Sequence, residues 1–249
     1  MINLSVNVNK VATIRNSRGG TIPSVTQAVD VCLKAGAPGI TVHPRADERH
    51  VTPVDVREIA AQIADWRART GTHPEFNIEG DPRPDLLDLA IEMRPDQCTL
   101  VPVTPGEITS HAGWASQAAS DALAAAIRQL QSAGIRVSLF VDPDPAPVRW
   151  AATLGANRIE LYTEPFARAF KRGPDEAKAS FDRYAAAARI AHEAGLGVNA
   201  GHDLDLDNLT LFRTVPYLDE VSIGHALVSY ALWVGLDRAV RDYLAAVKL

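Results

Sequence analysis

The chain has 249 residues, 47% of them hydrophobic, with 25 basic against 30 acidic side chains and no long run of either sign. That balance leaves no electrostatic footprint for nucleic acid or a membrane surface, and no segment reaches the roughly 18 apolar residues of a spanning helix. Cys32 and Cys98, the only two cysteines, argue against a disulfide framework or a thiolate metal site and fit a reducing cytoplasm, and residues 1–20 lack the apolar segment of a secretion signal.

In chain order, short apolar runs recur and most end in a group that can exchange a proton or hold an anion. The first, Leu4–Asn7, leads into NKVATIRNSRGG, where Arg15 and Arg18 stand close to the strand end and Arg18 precedes Gly19-Gly20. The second, Gly39–His43, ends at a histidine before Pro44, which favours extended backbone there; Arg45 and His50 follow in the same loop and suit a phosphorylated or carboxylated substrate. Phe76–Glu79 ends in a carboxylate whose surroundings are apolar, either salt-bridged to an arginine or a general base with a raised pKa. Cys98–Pro102 and Arg136–Asp142 follow, with a helical period over Asp121–Ala133 between them, and Arg158–Thr163 is the sixth run. After the helical segment Pro174–Ala194, Gly197–His202 and Glu220–His225 both end in Gly-His, and Ala226–Lys248 reads as one terminal helix. Gly36, Gly134, Gly155 and Gly195 stand where helices would be capped. The stretches 103–116 and 164–173 read as long loops.

Eight strand units alternating with helices predict a (β/α)8 TIM barrel, one domain over residues 1–249, whose strand ends share a reactive face. Neighbouring Gly-His pairs after strands seven and eight fall where barrels commonly bind phosphate. Gly195–Ala200 matches a loose dinucleotide-binding pattern but in the wrong order, running from helix into strand. Five lysines, with only Lys10 near a strand end, argue against a Schiff-base aldolase. His43, Glu79, His202 and His225 could surround a metal, yet the first strand offers Asn7-x-Asn9 in place of the His-x-His of metallohydrolases. The residues alone leave open another barrel isomerase or metal-free aldolase on a phosphorylated substrate, or a noncatalytic metabolite-binding barrel.

The segments VNVNKVATIRNSRGG, GITVHPRADERHVT, VSLFVD, IELYT, VNAGH and IGHA, in this order across the chain, resemble the pyridoxine 5′-phosphate synthase family of the deoxyxylulose-phosphate-dependent vitamin B6 pathway. The resemblance implies a barrel with extra helices, assembled as an octamer of paired subunits and needing no metal or organic cofactor. It implies condensation of 3-amino-2-oxopropyl phosphate with 1-deoxy-D-xylulose 5-phosphate to pyridoxine 5′-phosphate, phosphate and water. By position, it makes His43 and Glu79 proton acceptors, His202 the proton donor and Glu160 a stabiliser of the transition state. Asn7, Arg18, Asp203, Gly224 and His225 would meet the aminooxopropyl phosphate; Arg45, His50 and Thr109 would meet the deoxyxylulose phosphate, with Asn9 and Lys10 beside it. The family often has Asp-His at the place of Asn9-Lys10, His at that of Tyr162 and Gly at that of Asp203. An aspartate beside a phosphate is expected to offer only its N–H.

Overall fold

A computed structural model describes residues 2–103, 112–116 and 120–248. Eight parallel strands close into a barrel in sequence order: β1 (Asn3–Asn7), β2 (Gly39–Val42), β3 (Glu75–Gly80), β4 (Gln97–Leu100), β5 (Arg136–Val141), β6 (Arg158–Tyr162), β7 (Gly197–Gly201) and β8 (Leu218–Ile223), which pairs back onto β1. The chain is a (β/α)8 TIM barrel. Around it lie α1 (Asn9–Asn16), α2 (Val25–Ala35), α3 (Pro53–Thr70), α4 (Pro84–Met93), α5 (Ser120–Ser132), α6 (Pro145–Thr153), α7 (Glu164–Arg172), α8 (Pro174–Glu193), the short α9 (Leu209–Phe212), α10 (His225–Val234) and α11 (Leu236–Ala246).

Three helices exceed the one-per-strand pattern. After β1, β6 and β8 the chain makes an additional helix, α1, α7 or α10, before the one that returns along the barrel. The expected loop over 164–173 is therefore a helix: Pro165 sits in its first turn, Glu164 leads it, and Lys171 with Arg172 closes it, all favourable to helix ends. The expected terminal helix is two, because Gly235 turns the chain at φ 85° between α10 and α11. The four expected cap glycines all adopt left-handed φ, from 79° to 99°. Residues 104–111 and 117–119 of the stretch after β4 lie outside the described residues.

The strands are apolar on one side only. Leu4, Val6, Ile40, Val42, Ile78, Leu139, Ile159 and Val221 are wholly buried or nearly so in the main apolar core. Alternate residues face the lumen, and most of them are polar, although Phe140 near the cavity is not. Ser5 Oγ meets Thr41 Oγ1 at 2.6 Å, Asn77 Nδ2 donates to Thr41 Oγ1 at 3.3 Å, and Thr99 Oγ1 donates to Asn77 Oδ1 at 3.1 Å. Asn199 Nδ2 reaches across the barrel to Gln97 Oε1 at 3.4 Å. Where many barrels fill this space with branched hydrocarbons, here a hydrogen-bonded column leads from the strand starts to the reactive face. Among the described residues no helix is long and apolar enough to cross a membrane.

Candidate active site

A cavity of about 410 Å³ opens at the carboxyl ends of the strands. Its wall takes Asn7 from β1, Asn9 and Lys10 from α1, and His43, Arg45 and His50 from the segment after β2. Opposite stand Glu79 of β3, Glu160 of β6, His202 and Asp203 after β7, and Gly224 and His225 after β8. The structure thus brings together the predicted site residues with two exceptions. Arg18 lies on an exposed turn after α1, outside the wall, and Thr109 lies outside the described residues. Arg15, also singled out from the sequence, is held away by Asp55, which receives its Nη1 at 2.5 Å and Nη2 at 2.8 Å. Thr99, Phe140 and Ser222 line the cavity as well and were not predicted; their only sequence signal is position, each alternating with an outward apolar residue near a strand end.

The first strand ties two proton-transfer candidates together. Asn7 Nδ2 approaches Glu79 Oε2 at 3.4 Å, Asn7 Oδ1 accepts the N–H of Asn9 at 3.0 Å, and Asn9 Oδ1 accepts the N–H of His43 at 2.9 Å. Asn9 is buried, so part of its hydrogen-bonding capacity serves the protein and the rest faces the cavity.

Glu79 and Glu160 are 7% and 3% exposed, a cost for carboxylates that no cation at the cavity relieves by an ion pair among those found. The salt-bridged alternative for Glu79 is not realised. Burial pushes its carboxyl up to about 8, with the charge of Glu220 adding to the effect and a hydrogen bond from Ser222 opposing it. Burial, and then the charge of Glu79, holds Glu160 well above the usual carboxylate range. The Glu160 side chain occupies the space beside Gly201, where a Cβ would stand 2.2 Å from Oε1. The space a side chain would take at this glycine is thus filled by a carboxyl group of the neighbouring strand.

The segment after β2 is fixed from both sides. Asn16 Nδ2 donates to the carbonyls of Glu48 and His50, at 3.2 and 2.8 Å, and Arg83 Nη2 donates to the carbonyl of Pro44 at 2.6 Å. Thr52 and Asp55 form a reciprocal capping box at the start of α3. Burial, followed by the charges of His50, Arg45, Arg83 and His202, depresses His43 well below the ordinary histidine value. Burial and the charges of Arg45 and Lys10 press His50 down to about 4. Both rings are therefore neutral near pH 7, and His43 Nε2 is buried without a hydrogen-bond partner, available to accept a proton from a substrate.

His202 is half-buried against Phe140 and Tyr162, with ring centroids at 5.2 and 5.5 Å. Burial lowers its pKa, opposed by the charge of Asp203. Asp203 has φ 59°, a left-handed backbone that favours glycine and that aspartate tolerates. Past β8, Gly224 is the N-cap of α10 and His225 its first residue, so the unpaired N–H groups of that first turn border the cavity. Among the described residues no three His, Cys, Asp or Glu side chains converge as a metal's ligands.

A family model described as pyridoxal phosphate biosynthesis protein PdxJ matches residues 4–249. The pyridoxine 5′-phosphate synthase of Bacteroides thetaiotaomicron is 49% identical over 98% of each chain, and that of Christiangramia forsetii 48% identical over the whole of both. Among solved structures, thiamine phosphate pyrophosphorylase from Pyrococcus furiosus superposes with a TM-score of 0.59 at 13% identity, covering 99% of this chain and 95% of that one. A phosphoribosylanthranilate isomerase from Thermotoga maritima gives 0.55 at 12% identity, covering 99% and 98%. The structural likenesses establish the barrel alone.

Proposed function

Because the chain belongs to the PdxJ family of pyridoxal phosphate biosynthesis proteins and is an enzyme of pyridoxine biosynthesis, we propose that it condenses 3-amino-2-oxopropyl phosphate with 1-deoxy-D-xylulose 5-phosphate to pyridoxine 5′-phosphate, phosphate and water by acid/base catalysis without a metal. The observation that carries this reading is the convergence of Glu79, Glu160, His43 and His202 on one cavity, where burial raises both carboxyl groups. Joining an amine to a ketone, expelling phosphate and closing an aromatic ring needs several proton transfers, and no single side chain can be acid and base at each stage.

In this reading His43 and Glu79 accept protons. Both are suited to it: the imidazole is neutral, and burial raises the carboxyl group to about 8, so that its ionised form, the smaller fraction at pH 7, is a strong base toward carbon or nitrogen. His202 donates a proton, and a bound anionic substrate raises its pKa toward the protonated form. Glu160 borders the same cavity, and its buried carboxyl group stabilises the transition state. The phosphate retained in the product is assigned to the first turn of α10 at Gly224 and His225, where N–H groups and the helix dipole attract an anion without a lysine. The deoxyxylulose phosphate is assigned to Arg45 and His50, with Lys10 and Asn9 beside it and Thr109 as a further contact. Arg18 stays assigned to the aminooxopropyl phosphate, which requires its exposed turn to move or to act on another subunit's cavity.

The whole chain is assigned to one domain, in keeping with a single closed barrel. An octamer of paired subunits is supported by an apolar surface along α10, where Leu232 and Trp233 are 68% and 85% exposed on a helix with few polar residues. The direct test is to incubate purified, chelator-treated protein with the two substrates. Appearance of pyridoxine 5′-phosphate with stoichiometric phosphate supports the proposal; its absence, with a folded protein and both substrates intact, refutes it.

A further inference from the structure

We infer that Thr163 is a positioning residue for His202: its buried hydroxyl fixes the end of β7 in the backbone conformation from which the imidazole faces the cavity. The inference rests on the reading of His202 as proton donor. Thr163 is itself wholly buried and forms no part of the cavity wall, so any effect on the reaction must pass through a neighbour.

Thr163 stands at the N-cap of α7, where a threonine hydroxyl ordinarily accepts an N–H of the first turn, yet it makes no such bond. Its single hydroxyl proton is instead shared between two carbonyl oxygens of the adjacent strand end, that of Gly201 at 2.6 Å and that of His202. The backbone N–H of Thr163 also donates to the Gly201 carbonyl, at 3.0 Å. The anchor is firm on its own side, because the buried Tyr184 hydroxyl donates to the carbonyl of Tyr162 at 2.5 Å.

What Thr163 holds is a strained turn. His202 and Asp203 have φ 84° and 59°, consecutive left-handed conformations in residues other than glycine. Such backbone persists only where surrounding bonds fix it, and it is common where a side chain must be aimed. Here side-chain donors serve three successive carbonyls: Thr163 serves Gly201 and His202, and Asn208 Nδ2 serves Asp203 at 3.0 Å. A relaxed φ at residue 202 would swing the imidazole away from Phe140 and Tyr162 and out of line with a substrate.

The test is a double-mutant cycle of Thr163→Val with His202→Asn, alongside Thr163→Ser, read as kcat and KM for both substrates with thermal midpoints as a fold control. Thr163→Val is expected to lower kcat about 10- to 100-fold with each KM within about threefold, since small misplacements of a reacting group act on the chemical step. Thr163→Ser is expected to restore most of that loss, and Thr163→Val is expected to add almost nothing once His202 is Asn. Should the valine variant fail to fold, Thr163→Ala against Thr163→Ser makes the same comparison. Full additivity with His202→Asn, or wild-type kcat in the valine variant, overturns the inference while leaving the assignment of His202 intact. Near-normal turnover in His202→Asn alone overturns that assignment, and the role of Thr163 with it.

Discussion

Glu75 and Glu79 stand on the same strand and face the same lumen, two repeats of the pleat apart, yet they live in different chemistry. At the amino end of β3, Glu75 meets Arg136 at 2.6 Å, and Arg136 continues through Gln97 into a network with Asn199 and Arg158. At the carboxyl end, Glu79 has Asn7 and Ser222 as hydrogen-bond partners, and the charge that acts on it is that of another carboxyl group, Glu220. At the lower end of the lumen Glu75 is paired and becomes scaffold, although burial and the charge of Glu75 raise its neighbour Glu220 to about 8 as well, opposed by Arg158. The upper end withholds cations from its carboxyl groups, which keeps their protons exchangeable near neutral pH at a cost in stability.

The largest effect that would break this contrast if absent belongs to Glu79→Gln, which keeps the shape and removes the base. Turnover is expected to fall by about 10³-fold, as loss of a general base typically costs 10²–10⁴. The same variant reports on stability. The Glu79 pKa is raised on folding, so its contribution is fully present below the ordinary carboxylate range and is lost as pH rises through about 8. The thermal midpoint of Glu79→Gln relative to wild type is therefore expected to climb between pH 5 and pH 8.5 in a calorimetric series; a difference that stays flat over that range and changes only below the ordinary carboxylate range would mean Glu79 is a stabilising, paired carboxylate.

A smaller loss is expected from Gly201→Ala, whose Cβ would lie 2.2 Å from Glu160 Oε1 and must displace that carboxyl group. A drop in kcat of about 10- to 100-fold fits a misplacement of this kind; unchanged kcat would show that Glu160 need not sit where it does. Gly224→Val sharpens the upper end further. A Cβ there meets Asn7 Oδ1 at 3.1 Å and crowds the first turn of α10, so KM for 3-amino-2-oxopropyl phosphate is expected to rise about 3- to 10-fold, and more than that for the sugar phosphate. Equal losses for both substrates would place the retained phosphate elsewhere. The smallest kinetic effect is expected at the lower end: Glu75→Gln should leave kcat within about threefold while costing about 1 kcal/mol of stability in denaturant titration, since its partly exposed ion pair is the main thing lost.

Much of the upper end was legible in the sequence. Strand ends are local signals, and His43, Glu79, His202, Gly224 and His225 reach one cavity because a parallel barrel sends every strand end to one face, whereas Glu160, which joins them there, comes only from the family resemblance. The lumen was harder to see. The runs VNVN, FNIE, VSLF and VNAG read as apolar segments, although each alternates apolar with polar; the polar members find partners on other strands, such as Gln97 for Asn199, and no local periodicity announces such distant pairs. Arg15 illustrates the same limit, since its partner Asp55 is 40 residues away. The helix over 164–172 reads as a loop in the sequence, because the apolar spacing that marks most helices is sparse in EPFARAFKR and the signals that remain, Pro165 and the charges at its ends, are those of helix termini alone. Thr163 left no sequence signal at all, because its hydroxyl acts on the backbone of the next strand.

The pH dependence of kcat/KM tests most directly the claim that the upper end keeps Glu79 as an exchangeable base. This quantity reports ionisations of the free enzyme, and a base must shed its proton before it can act. With His43 and His50 already neutral, and His202 required in its protonated form although its own pKa is lowered, the account predicts that kcat/KM is level between the pKa of His202 and about 8 and falls above it, and that Glu79→Gln lacks this limb, falling already from the lower pKa of His202. A profile flat from pH 6 to pH 9, or the same limb persisting in Glu79→Gln, would contradict it.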